Sequence, residues 1–577
     1  MNSIPRHEHP NPQFERQTWQ NLNGLWKFDF DFGKSGLDRQ WQKEHTFTRQ
    51  ITVPYPPESK LSGIEYTDFM PAVWYQRNFE VGADQLQSEI ILHFGAVDYK
   101  TEIFVNGQSI GAHEGGYDSF SFEIREHVHV GINTLTVYVE DDVRSGRQPK
   151  GKQSSFYYSR GCDYTRTTGI WQTVWLEFVP FTRLESIRYY PNIHNSTIAI
   201  EAFATGKGQL SVEITYDGRC VGQHQTTLNK HGFVQIKLDE LHLWEIGEGA
   251  LYDVTVSFED DTVHSYFGMR EIELDGYEFK LNGKTVFQRF VLLQGFYEDG
   301  VYTAKDDESL KHDITLSQSM GFNGARLHEK AFEPRFYYHC DRAGFMVWAE
   351  MANWGIDLSN YQSITDFLPE WQQLVKRDFN HPSIITWSPF NETWNVEGRP
   401  QRDEIIELIY RTTKDMDPTR PCVDTSGNYH VVTDFYDVHD YTQDVDQLRY
   451  HFQGIHHPNG AFWDEHDARQ TYKSGQAFCI SEYGGIKWDP SGESSWGYGT
   501  EPQSETEFLE RYEGLTNVLL QHPQLFGYCY TQLYDIEQEK NGLCYYNRKP
   551  KFDAERIKAI NLQPAAIELL SASDGKE

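Results

Sequence analysis

The sequence predicts a multidomain chain: an N-terminal β jelly-roll domain, an immunoglobulin-like β-sandwich and a C-terminal (β/α)8 TIM barrel. Three observations predict this. Short strand-like runs separated by turn dipeptides fill residues 1–272. From residue 273 the pattern changes to strand then helix, repeatedly. Two of the later apolar runs end in a glutamate, Glu392 and Glu482.

Residues 1–180 read as all-β. Glu89–Phe94 and Thr101–Val105 are short and rich in β-branched and aromatic residues, and Asn106-Gly107 and Gly115-Gly116 are turn signals. Asn133–Glu140 alternates with period two, as a half-buried strand does. A two-sheet jelly roll packs such strands. Residues 181–272 repeat the style on a smaller scale. There Leu210–Tyr216 runs into the hairpin signal Asp217-Gly218, and Tyr252–Phe258 alternates again.

Residues 273–577 hold eight strand candidates: 286–296, 323–328, 346–351, 384–392, 422–427, 435–441, 477–483 and 525–533. Helical patterns over 306–320, 332–343 and 401–416 separate several of them, and an acidic stretch over 504–522 precedes the last. The connection after the fifth strand lacks a helical pattern. Eight strands alternating with helices fit the barrel, whose active sites lie at the C-terminal ends of the strands. Ile384–Glu392 and Ala477–Gly485 then deliver one carboxylate each, from strands four and seven, to a common rim. Hydrolysis of a glycosidic bond needs two such carboxyl groups, one to protonate the leaving oxygen and one to attack carbon or activate water. The plainer reading makes both glutamates surface or salt-bridged residues.

Composition narrows the classes. A net charge of −33 argues against nucleic acid and against a polybasic membrane contact. Aromatics make up 15% of the chain, and flat rings stack on sugar faces. The seven cysteines are scattered singly with no CxxC pair, which fits a reducing compartment and neither a disulfide framework nor a zinc site. Met1–Pro10 has no apolar core of a secretory signal and no run is long enough to span a membrane, so the expected location is cytoplasmic. The run His451–His457 matches no zinc spacing and reads as solvent-facing loop histidines, so no metal is expected. Oligomeric state is not readable, and a homo-oligomer stays open.

With these residues in view, the chain resembles glycoside hydrolase family 2, the family of β-galactosidases, β-glucuronidases and β-mannosidases. Asn23–Phe28, Val105–Gly107 and Gly169–Trp171 resemble signatures of its sugar-binding domain. Asn282–Phe287 resembles the entry to its barrel, and Cys340–Phe345 the helix before strand three. Asn391-Glu392 and Ser481–Gly484 match its two catalytic motifs. Their shared order across the chain makes the resemblance specific. It implies a retaining β-glycosidase with Glu392 as acid/base, Glu482 as nucleophile and no cofactor. Retention needs carboxyl oxygens roughly 5 Å apart, and an acid that keeps its proton near neutral pH through a raised pKa.

The resemblance also implies substrate contacts. Asn391 matches the asparagine that binds the sugar 2-hydroxyl. Asp163, six residues before Gly169, and Arg166 fit the loop that the first domain sends into the barrel mouth. Asp163 has an Asx turn as its alternative. Tyr441 either orients the nucleophile or packs at the rim, and Trp354 either stacks on sugar or belongs to the core.

The departures fall after strands one, two and eight. Tyr297-Glu298-Asp299 stands where relatives often carry His-Glu. Arg326–Lys330 puts Glu329 where a substrate-site histidine is expected, with His328 one place early. Glu539 and Asn541 occupy the positions of the Asn-x-Lys pair with which β-glucuronidases grip the sugar carboxylate. A carboxylate there repels a uronate, although Lys330, Arg326 or Arg166 could hold one from another direction. The first expectation is therefore an exo-acting β-galactosidase-like enzyme acting on small glycosides or oligosaccharides. A β-uronidase or arabinopyranosidase is its rival, and a carbohydrate-binding protein without catalysis is the alternative of another class.

Overall fold

The computed structural model describes residues 4–395, 398–455, 462–463, 472–492 and 495–574. The first domain is two packed antiparallel sheets. One has four strands, from Trp19–Asn21 through Val174–Val179 and Glu89–Phe94 to Phe120–Glu123. The other has six, with Ala72–Val81 and Gly131–Glu140 paired along their full lengths at its centre. Alternation along these strands sends Trp26, Tyr75, Leu92, Val137 and Leu176 into one shared core. Asn106-Gly107 forms the expected hairpin, with Val105 opposite Gln108.

The second domain is one sheet built around the long strand Thr197–Tyr216. Its register breaks between Phe203 and Lys207. Residues before the break pair with Leu184–Asn192, and residues after it with Tyr252–Phe258. Ile198 and Ile200 from one half share a core with Val212 and Ile214 from the other, so the irregularity lets a single sheet act as a sandwich.

The barrel follows in the order 4-3-2-1-8-7-6, all strands parallel: Ile384–Ser388, Met346–Glu350, Gly324–Leu327, Gln288–Leu293, Leu525–Thr531, Phe478–Gly484 and Tyr436–Asp440. Helices Asp307–Ser319, Pro334–Ala343, Asp403–Met416 and Glu505–Leu520 stand where the sequence predicts them. Asp306 and Ser504 cap two of them, each accepting a backbone N–H three residues on. The fifth strand is reduced to Thr425–Ser426, paired with Phe390–Asn391. Strand four is thus not the unbroken run 384–392. Pro389 has no N–H to offer the ladder, and the strand resumes beyond it with a new partner.

Side chains close the gap between strands five and six. Ser426 Oγ donates to Asp437 Oδ2 at 2.6 Å, and Ser481 Oγ donates to the same carboxylate. No helix joins these two strands. Instead Asp424 accepts the backbone N–H groups of Val431 and Val432, and a His430 ring nitrogen lies 2.7 Å from it. His451 is not a solvent-facing loop residue. It is buried on the helix Val445–Phe452, 2.6 Å from Asp440 and stacked on Trp463, while His456 and His457 lie outside the described residues.

The domains meet through buried charges. Arg16 donates to Asp261 of the second domain through Nε and Nη2, to Glu177 of the first through Nη1, and to the Leu184 carbonyl. Arg270 donates to the carbonyls of Pro382 and Ile384, which ties the second domain to the barrel. Replacing Arg16 with Met leaves two carboxylates buried without their cation, a class of change that costs about 3 to 5 kcal/mol. The expected result is earlier unfolding of the second domain in calorimetry, and an unchanged trace would show that the junction does not depend on this cation.

Candidate active site

The site is built at the C-terminal ends of strands two, three, four, six and seven. Arg326, fully buried on strand two, sits at its centre. Its Nε donates to Glu350 Oε1 on strand three at 2.6 Å, and its Nη2 to Asn391 Oδ1 at 3.0 Å. Its Nη1 donates to Glu482 Oε1 at 3.0 Å and to the Ser481 carbonyl at 2.8 Å. One planar cation therefore fixes groups from three strands.

Glu482 is held on its other side as well. Tyr441 donates its hydroxyl to Glu482 Oε2, and Tyr441 stacks flat on Tyr498 with ring centres 3.4 Å apart. Tyr441 thus takes the orienting position, one of its two sequence readings.

Glu392 stands just past the break at Pro389 with φ +43°, a left-handed conformation that costs a non-glycine residue energy and recurs at functional sites. Its backbone N–H bonds the Ser426 carbonyl at 2.9 Å. Its Oε1 lies 2.7 Å from His439 Nδ1. His439 Nε2 in turn is 3.4 Å from Glu482 Oε1, so one imidazole spans the two carboxylates. An oxygen of Glu392 and one of Glu482 fall within 4.8 Å of each other.

The electrostatics differ from the expectation of a raised acid pKa. Burial pushes Glu392 up, but the hydrogen bond and charge of His439, with Lys152 behind them, hold it down at about 2. Burial lowers His439, yet Glu482 and Glu392 outweigh it and raise its pKa. The proton that the acid needs therefore resides on the His439 side of a tightly coupled pair. Glu392, His439 and Glu482 are also spaced as three metal ligands. Arg326 and the Lys152 ammonium supply positive charge to the same cluster.

Around this centre, Asn391 is positioned by Asn353, whose Oδ1 accepts its N–H at 2.7 Å and whose Nδ2 donates to its carbonyl at 3.0 Å. The Asn391 Nδ2 is buried with no partner and is free for a ligand oxygen. Trp354 donates its indole N–H to the Asn391 carbonyl at 3.2 Å and is half-buried, which leaves ring surface at the mouth.

Glu329, with φ +50°, accepts the Trp354 N–H through Oε2 while its Oε1 has no partner. Burial drives its pKa well above the ordinary carboxylate range, against the Lys152 charge and the Trp354 hydrogen bond. His328 lies 3.2 Å from Glu350 and 3.8 Å from Glu482 Oε1, and burial holds it neutral.

Two predicted contacts are placed elsewhere. Arg166 donates to the carbonyls of Ser154, Phe156 and Thr67 and lies on the Phe69 ring, so it braces the loop and faces no ligand. Asp163 bonds Lys150 Nζ at 3.2 Å and closes a turn with Arg160. Nor does Lys330 reach the mouth, because it donates to the carbonyls of Gly295 and Tyr302. Tyr297 is packed beneath Arg548 beside a separate cavity of about 530 Å³ that shares no residue with the carboxylate cluster.

Three residues of the site escape the sequence reading: Glu350, His439 and Lys152. Glu350 and His439 carried a signal. Glu350 ends an apolar strand, and Asp437, His439 and Tyr441 alternate along strand six, as residues facing a barrel interior do. Lys152 carried none.

The fold and the site together define a three-part barrel protein of glycoside hydrolase type. The chain belongs to glycosyl hydrolase family 2. The family's sugar-binding domain matches residues 19–180, its central domain 182–270 and its TIM barrel domain 272–563. A β-glucuronidase of Felis catus is 26% identical over 469 residues, 72% of this chain and 70% of that protein. A β-galactosidase of Thermoanaerobacter pseudethanolicus is 25% identical over 442 residues, 70% of this chain and 53% of that one. The chain spans about half the length of that relative and of another from Formosa agariphila. The β-glucuronidase of Ruminococcus gnavus in complex with D-glucaro 1,5-lactone has the same fold, with a TM-score of 0.79 at 18% identity over 95% of this chain and 99% of that one.

Replacing His439 with Gln removes the contact that holds Glu392 down and leaves burial, which pushes it up. The basic limb of the kcat/KM profile, where the general acid loses its proton, should then move to higher pH by about one unit or more. An unmoved limb would show that His439 does not set the protonation of Glu392.

Proposed function

We propose that the protein is a retaining, exo-acting β-glycosidase that removes a terminal sugar by double displacement. The observation that carries this reading is the approach of Glu392 and Glu482 to within 4.8 Å across the barrel mouth. That separation suits direct attack on carbon and leaves no room for the water an inverting enzyme needs. Glu482, aligned by Arg326 and Tyr441, attacks the anomeric carbon as the bond to the leaving oxygen breaks. Glu392 delivers to that oxygen the proton it shares with His439. In the second step the Glu392 carboxylate takes a proton from water, whose oxygen attacks the same carbon and releases Glu482. Asn391 Nδ2 is placed for the sugar 2-hydroxyl, and Trp354 for a sugar face.

The β-galactoside preference expected from Asp163 and Arg166 loses its support, because Asp163 is engaged within its own loop and Arg166 by that loop and the Thr67 carbonyl. A terminal β-uronide is the better reading. The relatives are chiefly β-glucuronidases, with a β-galactosidase among them. A binding protein without catalysis fits poorly with a nucleophile carboxylate aligned by two donors.

Initial rates on p-nitrophenyl β-glycosides, with proton NMR of the first-formed anomer, test the reaction. Retention is expected, and inversion would refute double displacement. Glu482→Gln should lose on the order of 10⁴-fold or more in kcat with its fold intact. Glu392→Gln should lose about 10² to 10⁴-fold on alkyl glycosides and far less on activated phenyl glycosides. Equal losses across leaving groups would remove Glu392 from the acid role.

A further inference from the structure

The first domain contributes one cation to the mouth that no acceptor holds. Lys152 is 6% exposed, and its Nζ lies 3.7 Å from the centre of the Trp354 ring. Among the described residues, its ammonium makes no hydrogen bond and no ion pair within 4 Å, although the charges of Glu392, Glu482 and Glu329 act on it.

Every neighbouring cation is satisfied. Lys150 donates to two carbonyls and Asp163, Lys330 to two carbonyls, Arg166 to three, and Arg326 to the carboxylate cluster. The nearby carboxylates favour the charged form, but the ammonium's donors reach no oxygen, and a ligand oxygen can supply that acceptor.

The position of Lys152 is built in. The N–H groups of Lys150 and Gly151 both donate to the Trp354 carbonyl, at 2.7 and 3.2 Å. Gly151 has φ +55°, and a Cβ there would strike the Glu329 carbonyl oxygen, so only glycine lets the segment come this close. On the far side the Tyr164 N–H bonds the Lys152 carbonyl at 2.7 Å. The same Trp354 ring donates to the residue preceding Glu392. Lys152 therefore overlooks the space beside the catalytic pair from a fixed platform.

The charged groups around that space explain why a ligand anion is the fitting partner. Glu392 and Glu482 are engaged by His439, Arg326 and Tyr441. Glu329 is turned to the Trp354 N–H. Glu539, at the position where a glucuronidase's grip on the sugar carboxylate is expected, is bonded instead by Tyr164 and Asn541. Asn541 is itself closed off by Gln532, so that grip is absent here.

We propose that Lys152 binds the carboxylate of a terminal hexuronic acid, making the site selective for β-uronides over the matching neutral hexosides. This rests on the glycosidase reading above.

The test measures kcat/KM for phenyl β-glucuronide and β-galacturonide against phenyl β-glucoside and β-galactoside. It compares the full-length wild type with Lys152→Met and Lys152→Arg. The wild type should favour a uronide. Lys152→Met should lower the uronide-to-hexoside ratio by about 30-fold or more, and Lys152→Arg should restore part of it. An equal fall on both sugar classes would make Lys152 a structural residue and overturn the proposal while the glycosidase reading stands. So would a wild type that turns over hexosides and ignores uronides. A wild type inert on all four would overturn the glycosidase reading instead. Calorimetry with D-glucuronate and D-galacturonate would then decide for Lys152: acid-specific binding lost in Lys152→Met supports it, and no such binding refutes it.

Discussion

The site depends on the buried Arg326 guanidinium. Its fork reaches Glu350, Asn391 and Glu482, and through Asn391 it reaches the chain just before Glu392. A fully buried cation is tolerable only with its donors met, and here the partners are the groups a glycosidase must hold rigid. The dependence is mutual. Arg326 keeps the Glu482 charge in place and sets the angle from which it points. A lysine could supply the charge but not the planar fork that aligns groups from three strands at once.

Against this fixed nucleophile, the acid/base is the adjustable half. Glu392 sits in a left-handed backbone conformation beyond Pro389 and is tied to strand five through Ser426. His439 spans the gap to Glu482. In the resting arrangement the imidazole takes the proton and Glu392 is a carboxylate. A leaving oxygen entering the mouth competes for that proton, and once Glu482 is esterified one of the two charges favouring imidazolium is gone. The couple thus delivers a proton in the first step and accepts one in the second without Glu392 carrying an intrinsically high pKa.

The sequence made the barrel and its two carboxylates legible, because strand-ending glutamates in apolar runs are a one-dimensional signal. Asn391 and Tyr441 lay on those same runs, and the barrel geometry carried them to the expected rim. Loop contacts were legible only as positions. Spacing put Asp163 and Arg166 in a loop that does reach the barrel, but not the directions of their side chains, which Lys150 and three backbone carbonyls decided. Lys152 was invisible for the converse reason. It is one lysine in a polar stretch, and what makes it special is the close passage of Gly151 past the Glu329 carbonyl, a contact between residues far apart in sequence.

The departures around the sugar subsite form one pattern when their protonation is considered. Glu329 replaces an expected histidine, and burial drives its pKa well above the ordinary carboxylate range. Asn541 stands where a lysine is expected and Glu539 where an asparagine is, and burial raises the Glu539 pKa to about 7 against Tyr164, Lys152 and Asn541. Near neutral pH the repulsion expected from these two carboxyl groups is therefore much reduced. The exchanges at Glu329 and Asn541 remove a basic group from the barrel loops. The positive charge that remains unassigned comes from the first domain, at Lys152. The cation left without a hydrogen-bonded acceptor lies on the domain that walls the mouth rather than on the barrel. A sugar-binding domain attached to a barrel is then part of the active site's electrostatics, and the buried junctions at Arg16 and Arg270 keep the domains in register with it.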